Sequence, residues 1–242
     1  MILLTALPRT GKTTAIKKII DSLGRKNCGG FYTKEIRENG ERVGFEIITL
    51  SGKRGILAHV NIQSEYKISR YGVNLNEFER LCLNELKQVM ANDKLKYLII
   101  DEIGPMQLFS EEFKELLYEL LNTSKIVLGT IFYSSHDWLD KFKKEININL
   151  IEITLENRDK IALEIIEMVT KEDSVFQKKI VKAKKYLNEI DRFVINGNKT
   201  IIYSEHGVRT VECKDDEFFC DCEYFNENGT CSHIISVINR MI

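Results

Sequence analysis

Ile2-Leu3-Leu4-Thr5-Ala6-Leu7-Pro8-Arg9-Thr10-Gly11-Lys12-Thr13-Thr14 opens the chain, and its reading decides the fold. Residues 2–5 are apolar and read as a short buried strand. From about Lys12 to Leu23, apolar residues recur at Ala15, Ile16, Ile19, Ile20 and Leu23, the spacing of a helix face. Between the two, Ala6 to Thr13 fits the phosphate-loop pattern with Ala at its first glycine. Backbone N–H groups turned inward at a helix N-terminus bind phosphate. Gly11 lets the backbone approach the phosphate, Lys12 reaches the β- and γ-phosphates, and the Thr13 hydroxyl coordinates Mg²⁺. Ala6 is acceptable if that position needs no positive φ. The nucleotide-binding set is therefore Ala6, Leu7, Pro8, Arg9, Thr10, Gly11, Lys12, Thr13 and Thr14.

Tyr97 to Ile100 is a continuous apolar run, as in a parallel strand buried on both faces. It ends in Asp101-Glu102, and ligands of open α/β sheets bind beyond such strand ends. Asp101 is placed to serve Mg²⁺, and Glu102 to polarise an attacking water. Further strands are expected at Ile126–Thr130 and Leu150–Thr154, and helices at Asn76–Met90, from Ser110, and at Asn157–Val169. Gly29–Thr33 and Gly44–Leu50, followed by Ser51-Gly52, read as an antiparallel insertion. The fold class is α/β: a parallel sheet with crossover helices and an antiparallel insertion, plus a small C-terminal module.

The chain has 242 residues and a formal net charge of −1, so it carries no global footprint for nucleic acid or anionic membrane. No apolar run suits a membrane helix, and the N-terminal residues do not suit a signal peptide. A cytoplasmic protein is expected. The pattern changes after about Thr170, which places the expected domains at 1–172 and 173–242.

Further segments recur in order: Gly30-Phe31-Tyr32-Thr33, Gly44-Phe45 leading to Ile48–Gly52, Tyr71-Gly72-Val73, Asp101 to Met106, Leu108-Phe109-Ser110, Leu128-Gly129-Thr130, and Thr154 to Arg158. With the phosphate loop, this set resembles the small nucleoside-triphosphatases called cancer-related nucleoside triphosphatases. The resemblance implies a RecA-like nucleotide-binding sheet and slow Mg²⁺-dependent hydrolysis of nucleoside triphosphates, with loose base selectivity. It implies phosphate and metal roles for Lys12 and Thr13, a metal role for Asp101 and water activation by Glu102. Asn157-Arg158 falls at a family Asn-Arg pair. Arg158 would stack on the base or contact phosphate, or else simply open a helix. The family loop commonly has Gly where this chain has Ala6 and Arg9. Arg9 either meets the γ-phosphate or points to solvent. A kinase acting on a nucleoside or small metabolite is the competing enzyme reading.

Cysteines Cys213, Cys220, Cys222 and Cys231 crowd together near the C-terminal end. Cys220-Asp221-Cys222 is followed, after eight residues, by Cys231-Ser232-His233. Such a cluster in a reducing compartment points to metal, and Cys220, Cys222, Cys231 and His233 form a Cys₃His set of the kind structural Zn²⁺ takes. Ile234, Ile235, Val237, Ile238 and Met241 would form the apolar helix face behind it. The pattern resembles the SWIM zinc finger, which implies a small ββα zinc-binding module and binding to protein or nucleic acid. A nucleotide-controlled adaptor is thus a third reading. Lys178, Lys179, Lys182, Lys184 and Lys185 offer either a basic face or a solvated helix surface. Cys213 lies outside the spacing, and His136 follows the Ile126–Thr130 strand near the expected site.

Overall fold

The computed structural model describes residues 1–146 and 148–240. Among them, β1 (Ile2–Thr5) leads through the phosphate loop into α1 (Lys12–Leu23). Strands β2 (Cys28–Glu38), β3 (Glu41–Thr49), β4 (Arg54–His59), β5 (Lys67–Ile68) and β6 (Tyr71–Val73) follow. Then come α2 (Leu75–Phe78) and α3 (Asn84–Ala91), joined by a π turn over Glu79–Leu83 where the sequence predicts one helix. Next are β7 (Tyr97–Ile103), α4 (Glu111–Glu119), β8 (Ile126–Ile131), α5 (Asp137–Glu145) and β9 (Asn149–Glu152). Helix α4 starts where expected, because the Ser110 side chain accepts from the Phe113 N–H.

These strands make one sheet in the order β5-β6-β4-β3-β2-β7-β8-β1-β9. Its half from β2 to β9 is parallel, and β3 to β6 add antiparallel pairs, as the glycine-rich insertion predicts. Strand β7 is central and apolar on both faces, so Leu98, Ile99 and Ile100 are fully buried. Phe31, Phe78 and Phe113 pack edge-on or tilted in the core beside it, with ring centroids 5.1–6.5 Å apart.

After β9 come α6 (Ile161–Val169) and α7 (Ser174–Leu187). The helix expected from Asn157 begins only at Ile161, because residues 157–160 form a turn with Lys160 and Ile161 N–H groups donating to the Asn157 carbonyl at 2.9 Å. The second sheet holds β10 (Phe193–Asn196), β11 (Lys199–Ser204), β12 (Gly207–Lys214) and β13 (Glu217–Cys220), all antiparallel. Helices α8 (Glu223–Asn228) and α9 (Ser232–Arg240) close the described chain. The expected ββα unit is thus part of a larger four-stranded meander carrying two helices. Ile234, Val237 and Ile238 of α9 pack with Ile202, Val211 and Tyr186, as the apolar face predicts. Met241, assigned to the same face, lies outside the described residues.

Packing divides the chain into two units that no single cut separates: Met1–Thr13 with Cys28–Thr154, and Thr14–Asn27 with Leu155–Ile242. Most of α1 therefore packs with the C-terminal segment. Within that second unit the Thr230 hydroxyl donates to the Ser22 carbonyl at 2.6 Å, the Asn27 amide reaches the Asn228 carbonyl at 3.4 Å, and Lys26 donates to the Glu227 carbonyl. Arg25 pairs with Asp21 at 2.7 Å and with Glu217 at 3.3 Å.

Candidate functional site

The first unit brings the phosphate loop and the acidic strand end together. β1 delivers Ala6 into a fully buried position with no positive φ, which is why alanine serves where a glycine is usual. Two loop residues do have positive φ: Gly11 at 112° and Arg9 at 68°. A Cβ on Gly11 would meet nothing within 4 Å, so glycine is needed there for its backbone angle rather than for room. Arg9 holds the same left-handed region with a side chain, a region glycine occupies more readily. Leu7, Pro8 and Arg9 are exposed, and Thr10 is half-buried with its N–H donating to the Leu7 carbonyl at 3.3 Å.

Lys12 donates to the Ala6 carbonyl at 3.2 Å and lies 3.6 Å from Glu102 Oε1. The Thr13 hydroxyl donates to Asp101 Oδ2 at 3.1 Å. Asp101 is buried, and its Oδ1 accepts from the Thr130 hydroxyl at 2.5 Å. The register explains the convergence. β7 pairs with β8 at Ile100↔Gly129 and next at Ile103↔Ile131, so Asp101 and Glu102 bulge opposite Thr130. Such a bulge turns two consecutive acids toward the loop, where a regular strand would send them to opposite faces. Glu102 is only partly exposed, and its Oε1 is shut off from solvent. Burial therefore raises its carboxyl above the ordinary glutamate range; Lys12 opposes the rise and Asp101 adds to it.

Other expected residues stand elsewhere. Thr14 opens the second unit and is exposed. Arg158 belongs to that unit as well, in the turn before α6, with its guanidinium 3.8 Å from Asp159. His136 occupies the N-cap position of α5, and its N–H donates to Asp140 at 3.2 Å. Thr130 was given no role by the sequence. The signal for it was Gly129-Thr130 at a strand end beside Asp101.

In the second unit Cys220 at the end of β13, Cys222 before α8, Cys231 and His233 converge. Their ligand atoms all lie within 4.8 Å of one another and all four residues are buried. His233 Nδ1 is 3.6 Å from Cys220 Sγ and 3.7 Å from Cys231 Sγ, and its ring stacks on Tyr186 at 5.9 Å. A tetrahedral metal with bonds of about 2.3 Å spaces its sulfurs by about 3.8 Å, so the set has the size and donors for one ion. Hydrogen bonding from Cys231 pulls the Cys222 thiol down to about 4 and Cys220 to about 7, while burial pushes Cys231 up. Cys213 is a free, half-buried thiol outside the group. The lysines of α7 are largely engaged: Lys182 and Lys185 pair with Glu205, Lys184 with Glu167, and Lys179 lies 3.8 Å over the Tyr224 ring.

A phosphate loop joined to acids at the end of a central parallel strand defines the α/β P-loop nucleoside-triphosphatase class. Residues 1–166 match the model of a family described as NTPase, and the chain belongs to that family. The nucleoside-triphosphatase THEP1 of Thermotoga sp. (strain RQ2) is 40% identical over 168 residues, which span 69% of this chain and 94% of the relative. The cancer-related nucleoside-triphosphatase homolog of Mus musculus is 36% identical over 181 residues, 69% of this chain and 95% of the relative. The crystal structure of THEP1 from the hyperthermophile Aquifex aeolicus aligns with a TM-score of 0.63 at 37% identity, covering 69% of this chain and 97% of that one. The solution structure of a human cancer-related nucleoside triphosphatase aligns with a TM-score of 0.61 at 33% identity, covering 70% and 97%. The chain is thus a nucleoside-triphosphatase, and the family match ends before α7. No helix among the described residues is long and apolar enough to cross a membrane.

Proposed function

We propose that the first unit hydrolyses nucleoside triphosphates to diphosphate and phosphate in a Mg²⁺-dependent reaction. The observation that carries this reading is the pairing of Thr13 with Asp101 beside Lys12 and Glu102. Adjacent oxygens around Mg²⁺ at bonds of about 2.1 Å lie about 3.0 Å apart, close to the 3.1 Å between Thr13 Oγ1 and Asp101 Oδ2. Those two residues would hold the ion directly or through water. Bound there, it would neutralise charge on the β- and γ-phosphates. The inward N–H groups of the loop cradle the phosphates, and Lys12 exchanges Ala6 and Glu102 for them. Glu102, relieved of its cation, orients the attacking water and takes its proton. Arg9 at the crown of the loop supplies further positive charge to the γ-phosphate.

A kinase has the same phosphate loop, but the glutamate beside Asp101 and the hydrolase names of the relatives favour water as acceptor. Phosphate release from ATP, GTP, CTP and UTP, with and without Mg²⁺ and with no added acceptor, tests the reading. No release with Mg²⁺ would remove hydrolysis in favour of transfer.

Residues 173–242 are proposed as an added cytoplasmic recognition module of SWIM type, with a structural Zn²⁺ held by Cys220, Cys222, Cys231 and His233. The closed donor set leaves no open position for chemistry. Such a module would contact nucleic acid or protein. The acids that engage the α7 lysines, and exposed Val194, Tyr203 and Val208 on the second sheet, favour protein. One metal per chain by elemental analysis, lost in Cys222→Ser, is the expected result.

A further inference from the structure

Thr130 is the next-to-last residue of β8, and its side chain is fully buried. Its hydroxyl meets Oδ1 of Asp101 at 2.5 Å while Thr13 meets Oδ2 at 3.1 Å. A carboxylate tethered at one oxygen still swings about its Cβ–Cγ bond, whereas one tethered at both has its plane fixed. The strand preceding Thr130 is equally constrained. A Cβ on Gly129 would lie 2.4 Å from the Ile100 carbonyl oxygen, so only glycine allows β8 this close to β7. The next residue, Thr130, then faces the bulge that carries Asp101 and Glu102. Phosphoryl transfer gains most of its rate from positioning, so a residue that fixes the metal-binding carboxylate acts on turnover without touching substrate.

We propose that Thr130 is a positioning residue for the hydrolytic reaction: by binding Oδ1 of Asp101 it presents Oδ2, beside Thr13, to the divalent cation. The inference rests on the reading that Thr13 and Asp101 hold that cation. Its test measures metal binding directly, as free Mn²⁺ by electron paramagnetic resonance in the presence of a non-hydrolysable ATP analogue. Thr130→Val keeps the shape and removes the hydroxyl. It is expected to raise the Mn²⁺ concentration for half-saturation about tenfold, the scale of one hydrogen bond to a charged group. Analogue affinity without metal should not change, and Thr130→Ser should return the wild-type value. Thr130→Ala takes the place of the valine variant if that one does not fold.

Wild-type Mn²⁺ binding in Thr130→Val, alongside weakened binding in Asp101→Asn, would overturn the positioning role and leave the metal assignment standing. Unchanged binding in Asp101→Asn as well would overturn the metal assignment itself, and the proposal with it. A serine variant as impaired as the valine one would show that packing of the methyl, and not the hydroxyl, carries the effect, which also overturns it.

Discussion

Asp21 lies on α1, is 7% exposed, and accepts from Arg25 Nε at 2.7 Å. Burial raises its carboxyl from 3.8 to about 6; Arg25 opposes the rise and Glu217 reinforces it. The folded chain therefore holds this proton more tightly than the unfolded chain. The stability this contributes is complete below about pH 4 and is lost as pH rises through about 6. The gap between the two values corresponds to about 3 kcal/mol at pH 8, an upper figure for the cost of keeping the charge buried. Asp21→Asn removes the charge and keeps an oxygen for Arg25, so it should stabilise the second unit at pH 8 by about 1–3 kcal/mol. Between pH 8 and pH 5 the advantage should shrink by about 1.4 kcal/mol, because wild type regains its proton. Native-state hydrogen exchange of peptides covering 14–27 and 217–230, at constant metal, reads both quantities. A variant less stable at pH 8, or one whose advantage is the same at both pH values, would refute the argument and show that the Arg25 pair outweighs desolvation.

Lys12→Ala should weaken triphosphate binding about 100-fold by calorimetry, the scale of lost charge-assisted hydrogen bonds; retained affinity would remove Lys12 from the phosphate site. Glu102→Gln should bind normally and turn over about 10²–10⁴-fold more slowly. Because burial raises Glu102 and the base must be ionised, wild-type turnover should fall on acidification at a pH above the ordinary glutamate value, a limb absent in Glu102→Gln. Arg9→Gly suits the φ of 68° and should change stability by less than about 1 kcal/mol while slowing phosphate release at least about tenfold; full turnover would assign Arg9 to solvent. Chelation of the metal proposed for Cys220, Cys222, Cys231 and His233 should reduce exchange protection of Ser22–Asn27, which the segment before Cys231 contacts, and unchanged protection would separate the metal from that contact.

The features legible in the sequence are those whose signal is local. The strand–loop–helix at residues 2–23 announces itself through apolar spacing and the Gly-Lys-Thr run. The Cys-x-Cys and Cys-x-His pairs likewise bring their geometry with them. What was hidden depends on register. The bulge at Asp101-Glu102 sets two residues of β7 against the single Thr130 of β8, which neither strand encodes alone. Thr130 acquires its contact only through that pairing. The strand Gly207–Lys214 was missed because Arg209 and Glu212 interrupt its apolar alternation, although hairpin pairing to β11 holds it as a strand. The π turn at Glu79–Leu83 buries three consecutive residues, Leu81, Cys82 and Leu83, so apolar spacing does not mark it.

The placement of α1 changes what the C-terminal segment means. The family match ends at residue 166 and covers nearly all of each relative, so the cysteine-rich segment is an addition to an otherwise whole nucleoside-triphosphatase domain. An appended module on a linker would be free to act alone. Here, instead, its residues 228–230 bind backbone and side chains at Ser22 and Asn27, and Glu217 pairs with Arg25. Ser22 lies on α1, whose first two residues are Lys12 and Thr13 of the phosphate loop, while Arg25 and Asn27 lie in the turn that follows the helix. The cysteine-rich segment is therefore packed in one unit with most of α1 rather than hung on a linker.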